Sequence, residues 1–220
     1  MSAREEILAR VRGAVADVTT PAGARGPAPT VETTAVGPAE TLALFAENVA
    51  DYRATVVRVE PQDVAAEIAA ALRANGCRSV VLPTGVEPSW RDAVAEVAQV
   101  LPEAEAATAA ELDAIDAVVT GSAVGIATTG TIVLDHTADQ GRRALTLVPD
   151  THVCVVRADQ VVHDVPDAVA RLRPAAEGPR PQTWISGPSA TSDIELERVE
   201  GVHGPRTLVV IIVSNAGDGE

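Results

Sequence analysis

The densest chemistry in this chain lies in residues 187–205, GPSATSDIELERVEGVHGP. Ser189, Thr191 and Ser192 supply hydroxyls, Asp193 and Glu195 carboxylates, and His203 an imidazole set among Gly201, Gly204 and Pro205. Carboxylates and imidazoles are the groups that move protons in general acid–base catalysis, once their pKa is tuned to the task. Asp193, Glu195 and His203 are therefore the candidate catalytic residues, with Ser189, Thr191, Ser192 and Gly204 as candidate ligand-binding residues. Helix capping competes with this reading. Ser192-Asp193-Ile194-Glu195 fits a capping box, and acidic residues in a first turn suit the positive end of a helix dipole. For His203 the alternative is a ring bonded to backbone that holds its turn.

A second group lies upstream. Gly121-Ser122 follows an apolar run, and Thr129-Gly130-Thr131 reads as a hairpin turn. Exposed amides and hydroxyls there would line an anion or carboxylate site, although the segment lacks both GxGxxG and the GK[ST] ending of a phosphate loop. Arg142-Arg143 follows, an adjacent pair in an acidic chain that is either solvated or a clamp for a carboxylate or phosphate. No spacing of His, Cys, Asp or Glu matches a metal site, and no GxSxG elbow is present. Cys77 and Cys154 are isolated and read as buried, reduced thiols of a cytoplasmic protein.

The elements that must position these groups alternate between strand and helix. Leu8, Val11, Val15 and Val18 follow a Ser2–Glu5 capping box, predicting a first helix over 1–18. Residues 19–37 are rich in Pro, Gly, Ala and Thr without periodicity and read as a flexible linker. From 38 to 220 a single α/β domain is expected. Leu42, Phe45, Val49 and Tyr52 mark a helix, 55–59 a strand, Val64, Ile68, Ala71 and Leu72 a crossover helix, and 79–82 the next strand. Val94, Val97 and Leu101 predict another helix, 117–120 a strand and 164–173 a further helix. Residues 124–128 and 131–134 read as a hairpin. Residues 145–148 and 152–156 are too close for a crossover, so they are expected to be antiparallel or in a side layer. His152 reads as structural there, and His136 and His163 as surface residues. After a strand at 183–186, a helix is expected from Ser192, and the unbroken apolar run 208–213 predicts a strand buried on both faces. The sum is a three-layer α/β/α fold with a mostly parallel sheet.

Composition narrows the partners. The chain has 220 residues, a formal net charge of −14 and only 2% aromatic residues, so its core is built from Val, Leu, Ile and Ala. The charge argues against nucleic acid and anionic membrane. No apolar run approaches the roughly 20 residues of a membrane span, and the charged start MSAREEILARV is unlike a signal peptide.

GPSATSDIELERVEGVHGP with its apolar strand, GIATTGTIVLD at 125–135 and RALTLVPDTHVCVV at 143–156 together resemble the lactate-utilisation protein C family, or LUD-domain proteins. Where that family carries an acidic residue before its TGT, this chain has Thr128. The resemblance implies the fold of ribose-5-phosphate isomerase, glucosamine-6-phosphate deaminase and CoA transferases. It also implies a part in oxidising L-lactate to pyruvate with iron–sulfur partner proteins, whose clusters are not expected in this chain because two isolated cysteines fall short of four ligands. The alternative is a stand-alone enzyme acting on a small phosphorylated or CoA-linked carboxylic acid.

Overall fold

The computed structural model describes residues 2–17, 36–103, 108–172, 180–192, 198–200 and 204–214. The chain divides into two compact units, Met1–Thr34 and Ala35–Glu220. The first contains α1 (Ala3–Ala14), opened by the expected capping box: the Glu5 N–H donates to Ser2 Oγ and the Ser2 N–H to the Glu5 carboxylate. Residues 18–35, nearly all of the stretch read as a linker, lie outside the described residues.

The second unit opens with α2 (Pro38–Asp51), β1 (Thr55–Val59), α3 (Val64–Ala74), β2 (Ser79–Leu82), α4 (Pro88–Ala95) and β3 (Gln99–Pro102). It continues with α5 (Ala109–Asp113), β4 (Ala117–Thr120), β5 (Val124–Ile126), β6 (Thr131–Leu134), β7 (Thr151–Arg157), β8 (Val161–Val162) and α6 (Val165–Arg171). The last elements are β9 (Thr183–Ile185), β10 (Ala190–Ser192), β11 (Arg198–Glu200) and β12 (Thr207–Val213). Six strands form one sheet in the order β1-β12-β7-β4-β2-β3, every neighbouring pair parallel. A smaller sheet, β8-β5-β6-β9, carries the expected antiparallel hairpin β5–β6.

Side-chain alternation assigns the faces of the large sheet. Val153 and Val155 of β7 and Val209, Ile211 and Val213 of β12 pack with Ile68 and Leu72 of α3 and Trp90 and Val94 of α4. Cys154, Val156, Leu208, Val210 and Ile212 face the other way, onto Phe45 and Val49 of α2 and Ile132 and Leu134 of β6. The far face of the small sheet, Val124, Ile126 and Val133, is closed by Ala168 of α6. Helices thus cover both faces of a parallel sheet, and the small sheet shares one of those faces with α2. Residues of α2 press closely on Gly125 and Gly130 of the β5–β6 hairpin. A Cβ at Gly125 would meet the Phe45 ring at 3.0 Å, and one at Gly130, whose φ is +56°, would meet the Asn48 backbone at 2.6 Å.

Four expectations are corrected. Residues 152–156 belong to the centre of the parallel sheet, because β7 hydrogen-bonds β12 on one side and β4 on the other. Residues 145–148 hold no strand: Arg143–Thr146 is a 3-10 turn in which Leu145 N–H bonds Arg142 O and the Thr146 hydroxyl bonds Arg143 O. Leu101 lies in β3 rather than in a helix, since α4 ends at Ala95 and Gln99 N–H bonds Arg78 O. The helix expected from Ser192 is replaced, over its described residues, by the antiparallel pair β10–β11, with Thr191 opposite Val199. At the start of the sheet, Asp116 accepts hydrogen bonds from the Arg78 and Ser79 N–H groups and the Ser79 hydroxyl, at 2.8, 2.9 and 3.0 Å. Burial works to raise its pKa, but these donors outweigh burial and lower it.

Phe45 is fully buried between α2 and both sheets. Phe45→Ala is expected to cost about 3–5 kcal/mol in urea unfolding. A loss below about 1 kcal/mol would show that α2 does not close this face of the core.

Candidate functional site

Two of the cavities lie at opposite edges of the large sheet. One, of about 240 Å³, sits at the amino ends of β7 and β12. His152 and Leu208, the second residues of those strands and register partners, form its floor. Ser186, Gly187, Pro188 and Ser189 form one wall and Gly204 and Pro205 another. Ser189 N–H bonds Pro205 O at 2.8 Å and so ties the two ends of the 187–205 stretch together. Gly187 has φ +87°, and a Cβ there would meet Tyr52 Cβ at 2.6 Å, so this wall requires glycine.

His152 is 1% exposed. Its Nε2 lies 2.8 Å from Thr120 Oγ1, and burial lowers its pKa to about 4. The ring is therefore neutral at physiological pH. Cys154, two residues on and on the same face, has its thiol pushed up to about 12, chiefly by burial, and is not a thiolate nucleophile. No charged side chain lines this cavity among the described residues. Hydroxyls of Thr146, Thr183, Ser186 and Ser189 and the imidazole supply its polarity, against apolar Leu147, Ile185 and Leu208.

The second cavity, of about 500 Å³, lies beyond the carboxyl ends of β2 and β3. Arg142, Arg143, Glu103, His136 and Thr137 line it. Arg142 is 3.7 Å from the Glu103 carboxylate, whereas Arg143 is exposed. His136, expected at the surface, is half-buried in a left-handed conformation of φ 58°. Gln140 Oε1 holds it there by accepting the Asp135 and His136 N–H groups at 2.7 and 3.1 Å. Its Nδ1 donates to Gly141 O, because a carbonyl can only accept, and its Nε2 meets Thr183 Oγ1 at 2.9 Å. That contact joins the walls of the two cavities. His163, also expected at the surface, has a buried Nδ1 without a partner among the described residues.

The residues proposed from sequence fall into three places. Thr131 reaches Ser186 through a 2.8 Å hydroxyl–hydroxyl contact and accepts from Thr129 Oγ1, so the Thr129-Gly130-Thr131 turn abuts the wall of the first cavity. Gly121 and Ser122 lie at the opposite end of the β5–β6 hairpin. There Gly121 packs under Asp139, and Ser122 is locked to Gln160 by reciprocal hydrogen bonds of 3.1 and 2.7 Å. Arg142 and Arg143 face the second cavity. Of the upstream group, the Thr129–Thr131 turn thus lies beside the 187–205 stretch, whereas Gly121 and Ser122 do not. Thr191 and Ser192 lie in β10, while Asp193, Glu195 and His203 lie outside the described residues. His152 was passed over as a strand residue. It is the one imidazole in HVCVV, and alternation places it on the same face as Cys154.

The LUD domain family model matches residues 42–213. The chain belongs to the LUD domain family. This LUD domain is 49% identical over 175 residues to lactate utilization protein C of Deinococcus radiodurans, covering 80% of each chain. It is 36% identical over 101 residues to lactate utilization protein C of Bacillus subtilis, covering 44% of this chain and 42% of that one. Among solved structures it resembles a crystal structure of a DUF162 family protein from Deinococcus radiodurans. The TM-score is 0.69 at 42% identity, over 81% of this chain and 99% of that one. The mixed α/β architecture of the LUD domain, with its large parallel sheet, is thus shared with a solved protein.

Because burial depresses the His152 pKa from 6.5 to about 4, the unfolded chain binds a proton in that interval that the folded chain refuses. Stability is therefore expected to fall as pH drops from about 6.5 toward 4, by on the order of 3 kcal/mol from this group. Urea unfolding of the LUD domain between pH 7.5 and 4.5, beside His152→Asn, measures it. A wild-type slope no steeper than that of the variant would contradict the assignment.

Proposed function

We propose that this LUD domain acts in the utilisation of L-lactate as a substrate-handling subunit in the cytoplasm, beside partner proteins that carry iron–sulfur clusters, in the oxidation of L-lactate to pyruvate. The 49% identity to a lactate utilization protein C over four-fifths of both chains carries this reading. The amino-edge cavity supports it. Gly187–Ser189 and Gly204-Pro205 border there a small space with hydroxyls, one neutral imidazole and apolar walls. Oxidising a 2-hydroxy acid removes two electrons, which side chains alone do not accept. The two cysteines, Cys77 and Cys154, are buried in the clusters on opposite faces of the sheet. They cannot share a metal centre, and the electron acceptor is assigned to the partners. No helix among the described residues is long and apolar enough to cross a membrane.

A second reading, an enzyme acting on a small phosphorylated or CoA-linked acid, is favoured by the larger carboxyl-edge cavity with Arg142 and Arg143 on its rim. Deletion of the gene separates the two. Growth on L-lactate should be lost and restored by the wild-type copy, while the purified chain should not turn lactate over. Asp193→Ala and His203→Ala copies that fold, by their melting curves, yet fail to restore growth would give those residues a site role. Normal growth of the deletion strain without a redundant pathway overturns the lactate reading. Turnover of a phosphorylated or CoA-linked acid by the isolated chain, abolished by Arg143→Ala, would establish the second.

A further inference from the structure

A buried polar chain leads to the His152 ring beneath the amino-edge cavity. The Cys154 thiol lies 3.6 Å from Gly121 O, which can only accept, so the sulfur proton points there. Thr120 Oγ1 lies 3.8 Å from Cys154 Sγ and 2.8 Å from His152 Nε2. A hydroxyl has one proton to give. When Thr120 donates to the sulfur, its oxygen accepts from an Nε2–H, and every donor in the chain is used. In the opposite arrangement Thr120 donates to Nε2, the sulfur receives nothing, and the imidazole proton sits on Nδ1 with no partner.

His152 Nδ1 has no hydrogen-bond partner among the described residues. His152 is 1% exposed, and the space that its ring lines is the cavity. Leu208, its register partner on β12, forms the adjoining apolar floor.

We propose that His152 is the specificity-determining acceptor of this site: the Gly121–Cys154–Thr120 chain holds its proton on Nε2, and the bare Nδ1 accepts a hydrogen bond from the hydroxyl of a short 2-hydroxy acid. The substrate class rests on the lactate reading above; the protonation pattern does not. L-Lactate and pyruvate share a methyl group and a carboxylate, but only lactate offers a proton at C2. Pyruvate presents a carbonyl oxygen to a nitrogen lone pair, two acceptors facing each other. The site therefore takes the reduced acid in preference to the oxidised one.

Nitrogen-15 NMR of the imidazoles in the intact protein, followed by titration with L-lactate and then pyruvate, tests this. The expected result is an Nε2-protonated His152 whose Nδ1 resonance moves on adding L-lactate, with pyruvate bound about tenfold or more weakly. Thr120→Val should let the proton redistribute between the ring nitrogens and reduce the preference for lactate. If that variant does not fold, the wild-type spectrum still decides. A proton on Nδ1 in the wild type overturns the proposal and leaves the lactate reading intact. Equal affinity for the two acids also overturns it. If neither acid binds and Nδ1 is bare, the lactate reading fails, and the 2-hydroxy acid assigned here fails with it.

Discussion

Everything in the second unit depends on β12 being enclosed on all sides. It pairs in register with β1 through Val209–Val213 and with β7 along its whole length, and Leu208 to Val213 are all buried. A strand with neighbours on both edges and cover on both faces must satisfy its backbone in the ladder and carry apolar side chains throughout. Leu-Val-Val-Ile-Ile-Val meets that demand. α3 and α4 cover one face, and α2 and the small sheet cover the other. The position of the site follows from this enclosure. Thr207 N–H bonds Asp150 O, and the register sets Leu208 beside His152, so the signature stretch must enter the core at the amino edge of the sheet.

Ligands of open α/β sheets usually lie beyond the carboxyl ends of the strands. Here the larger cavity occupies that edge, and the smaller one at the amino edge has the buried imidazole. Volume alone would choose the former edge, where a further cavity of about 630 Å³ lies against Leu42, Arg58 and Ser214. Chemistry chooses the latter, because a polar group withdrawn from water is destabilising unless it is paired or put to use. Thr120, His152 and Cys154 form a polar chain inside a wall of valines and isoleucines, where hydrophobic residues of like volume would pack without that cost. At the carboxyl edge, by contrast, the polar side chains satisfy one another: Gln140 organises the 135–141 loop, and Arg142 turns to Glu103.

Most of the fold was legible because its elements are strongly periodic. The helix faces at Phe45 and Val49 and at Ile68 and Leu72, the strands at 55–59, 79–82 and 117–120, the hairpin around Gly130, and the buried run at 208–213 all follow from local pattern and turn chemistry. The failures have one physical origin. Whether 152–156 is a central or a side strand depends on its partners in the ladder, which lie more than thirty residues away in β4 and more than fifty away in β12. Likewise Thr191 and Ser192 satisfy a capping pattern as well as a strand pattern, and the pairing with Val199 and Arg198 decides between them. For the site, the Gly/Ser/Thr-rich turns were visible but their grouping was not. Gly121 and Thr131 are near in sequence, yet the β5–β6 hairpin carries them to opposite ends. His152 looked structural because an imidazole in an apolar strand gives no sign of a cavity above it.

The central claim, that the functional site is the amino-edge cavity over His152, is tested most directly by a crystal structure of the full chain with L-lactate bound. The account predicts the ligand on the floor formed by His152 and Leu208, its hydroxyl within hydrogen-bond distance of His152 Nδ1 and the Ser186–Ser189 wall beside it. Lactate bound instead between Arg142 and Arg143 at the carboxyl edge, with none over His152, would contradict it.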